Sequence, residues 1–179
     1  MIDTDGQGQS EGSASKNALW FDHNAEYAQN VSTLDTYRRL RKETDHRLGD
    51  PGLLLDIGNG GVFDYDVTKA RKLTALDLFL DGKTAPVQAP NIEYVRGSAL
   101  DLPFDDGSFD TVFMSMLLHH LTGGTVAETL LNVRKSIAEC ARVVKPDGRV
   151  VIVESCVPAW FYVFERIAYQ PACATVGRL

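Results

Sequence analysis

The chain has 179 residues, 44% of them hydrophobic, which is enough for one packed domain and too little for two. It carries 24 acidic against 18 basic residues, a net charge of −6, and no basic cluster, so it offers no field to draw in a nucleic-acid backbone. Three cysteines, Cys140, Cys156 and Cys173, form no C-x-x-C pair and suit a reducing compartment better than a disulfide framework, and no metal site is expected.

Residues 1–16 are polar, acidic and rich in Gly and Ser, the opposite of a signal peptide, and are expected to form a disordered tail. Residues 17–50 read as a helical cap. Leu19, Trp20, Tyr27 and Ala28 mark one helical pattern, and Ser32 opens a second through Leu34, Tyr37, Leu40 and Leu48 before Gly49-Asp50-Pro51 stops it. From residue 51 to the end the texture is that of an α/β domain. Short apolar runs at Leu53 to Ile57, Leu73 to Leu78, Ile92 to Val95, Thr111 to Met116 and Arg149 to Val153 read as five strands covered on both faces, the habit of a parallel sheet.

The clearest helix opens at Thr125, with Glu128 placed to complete a capping box, and its apolar stripe is Val126, Leu130, Val133, Ile137 and Ala141. Lys145 to Gly148 suits a type I turn ahead of the fifth strand. Strand and helix alternate, so a doubly wound, Rossmann-like α/β sheet is expected. No run approaches the ~18 apolar residues of a membrane span, and Val157 to Phe164 soon meets Glu165 and Arg166, so a soluble cytoplasmic protein is expected.

The first strand runs into Asp56-Ile57-Gly58-Asn59-Gly60-Gly61, a turn without side chains where a ligand can approach the backbone. Glycines also cluster in plain turns. What adds weight is Asp77, twenty-one residues after Asp56 and at the end of the second apolar run, where a carboxylate can accept hydrogen bonds from both ribose hydroxyls of a nucleoside cofactor. A dinucleotide would set a pyrophosphate over the glycines and the helix expected after them. Asp56, Asp64 and Asp66 crowd that place; they repel a pyrophosphate but suit the ammonium and sulfonium of S-adenosyl-L-methionine.

The segment Gly97 to Val112, with Gly97-Ser98-Ala99 and Phe104 to Asp110, resembles the adenine-side loop and fourth strand of class I S-adenosylmethionine-dependent methyltransferases, above all the ubiquinone/menaquinone-biosynthesis-like group, the methyltransferase type 11 domain. His119-His120-Leu121 and Arg142 to Arg149 complete that family's order, so the resemblance spans Leu53 to Glu154. It implies that Asp56, Gly58, Asn59 and Gly60 border the methionine part of the cofactor, that Asp77 holds the ribose, and that Leu78 lies against the adenine. Ser98 and Ala99 would frame the adenine edge, and Met114, Ser115 and Met116 would end the fourth strand beside the methionine moiety. His119 and His120 would lie toward the acceptor, with packing as their blander role.

Two departures stand out. Val62 replaces the family's frequent third glycine and Ser98 its usual aspartate, the latter at a cost of roughly 1 kcal/mol in cofactor binding. The family's sheet has seven strands and only five are recognisable here, so the chain reads as truncated at its C-terminus. The segment Ala159 to Tyr169, with Trp160, Phe161, Phe164 and Ile167 on a helical spacing, would then form an exposed aromatic patch or be covered by a second copy or a partner chain.

Methyl transfer is an in-line displacement from an activated sulfonium, so alignment is the main requirement. A hydroxyl acceptor adds the need for a base, and its proton would pass to His119 or His120 near neutral pH. Tyr27, Tyr37 and Arg41 of the cap would close the cofactor mouth or merely pack there. The expectation is methyl transfer to a small-molecule acceptor; the competing readings are a non-catalytic partner subunit of the same fold and a nicotinamide oxidoreductase.

Overall fold

A computed structural model describes residues 35–79 and 87–156. The expected tail, the helical pattern at Asn17 to Gln29, Tyr27 and the aromatic segment Ala159 to Tyr169 lie outside the described residues.

The second pattern of the cap forms helix α1, Asp35–Leu48, with Asp35 in its first turn and His46 and Arg47 in its last, each complementing the helix dipole. Gly49 ends it at φ +53°, donating to the Asp45 carbonyl at 3.1 Å. Arg149, a hundred residues on, donates to the carbonyls of Leu48 and Asp50 and so caps the helix from the sheet.

Five strands follow: β1 Leu53–Ile57, β2 Lys72–Asp77, β3 Ile92–Arg96, β4 Phe109–Ser115 and β5 Val144–Val153. All pair parallel, in the order β3-β2-β1-β4-β5. The apolar runs of β1, β2 and β4 are buried along nearly their whole length because each of these strands has a covered face on either side. Leu55, Ile57, Leu76, Val112 and Met114 pack with Cys140 and Val143 of helix α2, Val126–Val143. On the other face Leu54, Leu73 and Phe113 pack with Leu48 of α1 and with Tyr65 and Ala70. The chain steps outward from β1 to β3 and then returns to β4 on the far side of β1, leaving a crevice beyond the carboxyl ends of β1 and β4 where the direction reverses.

Three local expectations are corrected. Among the described residues only the β4-to-β5 crossover holds an α-helix; β1 joins β2 through the glycine turn and a single 3-10 turn, Val67–Lys69, and β3 joins β4 without any helix. Three positive-φ glycines followed by the polar Asp64 and Asp66 leave no stretch for a helix, and Phe63 and Tyr65 cover the sheet in its place. Tyr65 meets Phe113 edge-on at 5.2 Å and Phe63 at 5.8 Å.

The capping box of α2 is present in both directions, but the buried side of the helix is Ser136, Cys140 and Val143, while Val126, Leu130 and Ile137 face outward. Its rotation is set by polar contacts that the apolar spacing does not report. Glu139 accepts from the Leu102 N–H at 2.8 Å, and Arg142 donates to the carbonyls of Phe104 and Leu102 at 2.7 and 3.0 Å and to Asp106. Finally, Lys145 to Gly148 lies within β5 rather than ahead of it. The register jumps from Phe109 opposite Val144 to Thr111 opposite Arg149, so the expected turn is absorbed as an irregularity in the strand.

Candidate functional site

The glycine turn leaves β1 at the switch point. Gly58 takes φ +72°, its N–H donates to Leu76 O at 2.7 Å, and a Cβ there would lie 2.6 Å from Leu117 Cδ1, so the loop after β4 rests directly on the turn. Asn59 holds the bend from inside: its Oδ1 accepts from Gly61 N–H at 2.8 Å and its Nδ2 donates to Asp56 Oδ2 at 3.1 Å. The N–H of Gly60 donates to Asp77 Oδ2 at 3.1 Å and that of Phe79 to Asp77 Oδ1 at 2.8 Å. Asp77 thus bridges the ends of β1 and β2, with lone pairs left over on each oxygen. Leu78 beside it is 50% exposed.

Asp56 sits beneath the turn at 1% exposure. Its Oδ2 also accepts from the Tyr65 hydroxyl at 2.7 Å, while its buried Oδ1 has no partner among the described residues. Burial pushes its carboxyl up to about 7, against the hydrogen bonds from Tyr65 and Asn59, with Asp64 and Asp77 adding to the rise. Burial likewise raises the Tyr65 hydroxyl and the Asp64 carboxyl, the latter opposed by Arg41 of α1. Asp66 accepts from the Thr68 N–H and so caps the 3-10 turn.

On the other flank, Gly97 N–H donates to Asp77 O at 3.0 Å, which brings the loop after β3 against the end of β2. Ser98 Oγ accepts from Leu100 N–H at 3.1 Å, and Ala99 is buried in the core. At the end of β4, Met114 is buried in the same core, and Ser115 and Met116 are half-buried. Met116 holds φ +52° with its N–H on Val153 O at 2.8 Å, a left-handed residue at the point where β4 turns into the crevice.

The 3-10 turn Leu118–His120 follows. The His119 and His120 rings lie 4.1 Å apart between centroids, tilted by 40°. Burial, with His119 beside it, lowers His120 against the pull of Glu154. His119 Nδ1 lies 2.9 Å from Oε1 of Glu154, whose Oε2 accepts from Leu118 N–H at 2.9 Å and whose Oε1 also accepts from Ser155 N–H. Burial opposes ionisation of Glu154, yet the Ser155 N–H, the His119 ring and the Leu118 N–H together hold its carboxyl below the usual range.

The site residues expected from the sequence therefore gather at one end of the sheet, at the carboxyl ends of β1, β2 and β4 and the start of the β3–β4 loop, with the Asp56, Ala99 and Met114 side chains beneath the rim and Asp77 only 6% exposed. Two further members, Tyr65 and Glu154, join them. Glu154 carries the same signal that marks Asp77, an acid ending an apolar strand run, and Tyr65 carries none.

Residues 55–152 match the methyltransferase domain family. The chain belongs to that family. It is 30% identical over 155 residues to a demethylmenaquinone methyltransferase of Paenarthrobacter aurescens and 34% identical over 135 residues to one of Renibacterium salmoninarum. These alignments take in 81% and 73% of this chain but 58% and 53% of the relatives, so the chain spans little more than half their length. Among solved structures it shares the fold of YcgJ from Bacillus subtilis (TM-score 0.54, 23% identity, 73% of this chain and 56% of that one). It also shares the fold of the N-methyltransferase NodS from Bradyrhizobium japonicum, solved with S-adenosyl-l-homocysteine (TM-score 0.55, 17% identity, 68% and 64%). No helix among the described residues is long and apolar enough to cross a membrane.

Proposed function

We propose that this methyltransferase domain, residues 51–179 with the cap 17–50 beside it, binds S-adenosylmethionine along the rim and transfers its methyl group to a small-molecule acceptor. The observation that carries the reading is Asp77: a carboxylate tied to the glycine turn through Gly60, with an exposed apolar neighbour in Leu78. Its free lone pairs suit the two ribose hydroxyls, Leu78 suits one face of an adenine, and Ser98 the adenine edge. The local chemistry fits this cofactor and not a dinucleotide. A helix N-terminus after the glycines favours a pyrophosphate, and here a loop bearing Asp64 follows instead, over the buried Asp56.

When bound, the cofactor supplies a methyl carbon on a positively charged sulfur that leaves as a neutral sulfide. The chain's own residues bind and orient: Gly58, Asn59 and Gly60 present backbone to the methionine part, Ser115 and Met116 flank it, and the carboxylates give a field favourable to cationic groups. The His pair lies one turn past β4 and would take the proton from a hydroxyl acceptor. The relatives' names support a small organic acceptor, and the net charge of −6 speaks against nucleic acid. A second copy or partner chain over the C-terminal aromatic segment and a cytoplasmic location belong to the same proposal.

Thermal unfolding with added ligand tests it. S-adenosylmethionine and S-adenosylhomocysteine should each raise the melting temperature in a concentration-dependent way and NAD should not. No shift with either of the first two contradicts the reading.

A further inference from the structure

We infer that Glu154 is a positioning residue: it fixes His119 with its proton on Nδ1, so that Nε2 is the atom that takes a proton from a hydroxyl acceptor. The inference rests on the methyl-transfer reading and adds to it a residue at the end of β5.

The geometry leaves little choice of tautomer. Glu154 receives two backbone donors, Leu118 N–H on Oε2 and Ser155 N–H on Oε1, both at 2.9 Å. Backbone N–H groups only donate, so they favour the ionised carboxylate, an acceptor on both oxygens. An imidazole nitrogen 2.9 Å from Oε1 must then be the donor, because a bare Nδ1 lone pair would face a negative oxygen. In a neutral ring the proton on Nδ1 leaves the Nε2 lone pair available.

Placement supports the role. The carboxylate is mostly buried, at 15% side-chain exposure, whereas His119 is 47% exposed. The charge is therefore held in place while the ring remains open to a solute. Met116 N–H on Val153 O fastens β4's end to β5's end, one residue before Glu154, and Leu117 rests on Gly58. His119 thus projects from the loop that lies on the glycine turn. A wandering imidazole on an exposed 3-10 turn would sample both tautomers and several rotamers; a carboxylate at the end of β5 removes that freedom.

The step balances. The acceptor oxygen forms a bond to the methyl carbon as the carbon–sulfur bond breaks, and the sulfur keeps that electron pair and becomes neutral. The hydroxyl proton passes to His119 Nε2, giving an imidazolium whose charge faces Glu154 and which later loses the proton to water. An acceptor with no proton to lose at the transition state does not use the pair.

The direct test is nitrogen-15 NMR of the imidazoles in the full chain, with His119 assigned by its loss in H119Q, recorded well above the pH at which the ring protonates. The Nδ1–H tautomer is expected for His119, with a pyridine-type Nε2. In E154Q the population should move toward the Nε2–H form that unconstrained imidazole prefers, while calorimetric binding of S-adenosylmethionine changes less than about twofold. Methylation of a hydroxyl acceptor should fall about 10- to 100-fold in kcat in E154Q, with little change in KM. An Nε2–H tautomer of His119 in the unsubstituted chain overturns the inference whether or not E154Q folds, as does an unchanged tautomer in a folded E154Q. A chain that shows the Nδ1–H tautomer yet binds no S-adenosylmethionine contradicts the functional reading and leaves the His119–Glu154 arrangement standing.

Discussion

The Tyr65 hydroxyl donates to Asp56 Oδ2 at 2.7 Å in a place that water does not reach. The partners are nine residues apart, one at the end of a central strand and the other on the loop that covers it, so the bond ties the glycine turn down at both ends. Y65F keeps the ring contacts with Phe113 and Phe63 and removes only the donor. It should destabilise the fold by about 1–3 kcal/mol in urea unfolding, the cost of leaving a buried acceptor short of a partner. An unchanged midpoint and slope would show that the bond contributes nothing.

Asp56 sets a pH dependence of unusual sign. Its carboxyl is pushed from 3.8 up to about 7 in the folded chain, chiefly by burial, so the folded state holds a proton that the unfolded state has released across that window. Its contribution to stability is full below the unfolded value and is lost as pH rises through about 7, at up to about 1.4 kcal/mol per pH unit. Glu139 works oppositely: the hydrogen bond from Arg142 holds it down to about 2, so its contribution is full above the unfolded value of 4.5 and is lost as pH falls from there through about 2. D56N removes the first effect and leaves the second. The stability of D56N relative to the unsubstituted chain should therefore increase as pH rises from about 4 to about 7, and a constant difference would contradict the assignment.

G58A tests the turn. The residue would have to hold φ +72° with a Cβ 2.6 Å from the Leu117 side chain. Strain of about 1–3 kcal/mol is expected, together with weaker S-adenosylmethionine binding, since Leu117 must move and carries the loop before His119 with it. Full stability and full binding would mean that Leu117 does not rest on the turn.

Much of this arrangement is legible in the residues alone. The strands appear as apolar runs because burial on both faces removes any need for alternation, and the Thr125–Glu128 box is local chemistry with a fixed spacing; both of its bonds are present, at 3.2 and 3.1 Å. What the residues conceal depends on distant partners. The rotation of α2 follows from Glu139 and Arg142 gripping the Leu102 to Asp106 loop, which overrides a more apolar stripe at Val126, Leu130 and Ile137. The lack of a helix between β1 and β2 reflects Phe63 and Tyr65 covering the sheet from a loop, which has no period to detect. Glu154 meets His119, thirty-five residues away in the chain, only because β4 and β5 end side by side.

The measurement that bears most directly on the central claim is titration calorimetry of the unsubstituted chain and D77N with S-adenosylmethionine, side by side. Asparagine keeps the shape of Asp77 and one acceptor oxygen, but loses the charge and the second pair of lone pairs that the ribose needs. The account predicts one cofactor bound per chain and an affinity about 10- to 100-fold weaker in D77N, the worth of a charge-assisted hydrogen bond. No binding by the unsubstituted chain, or equal affinity in a folded D77N, would contradict it.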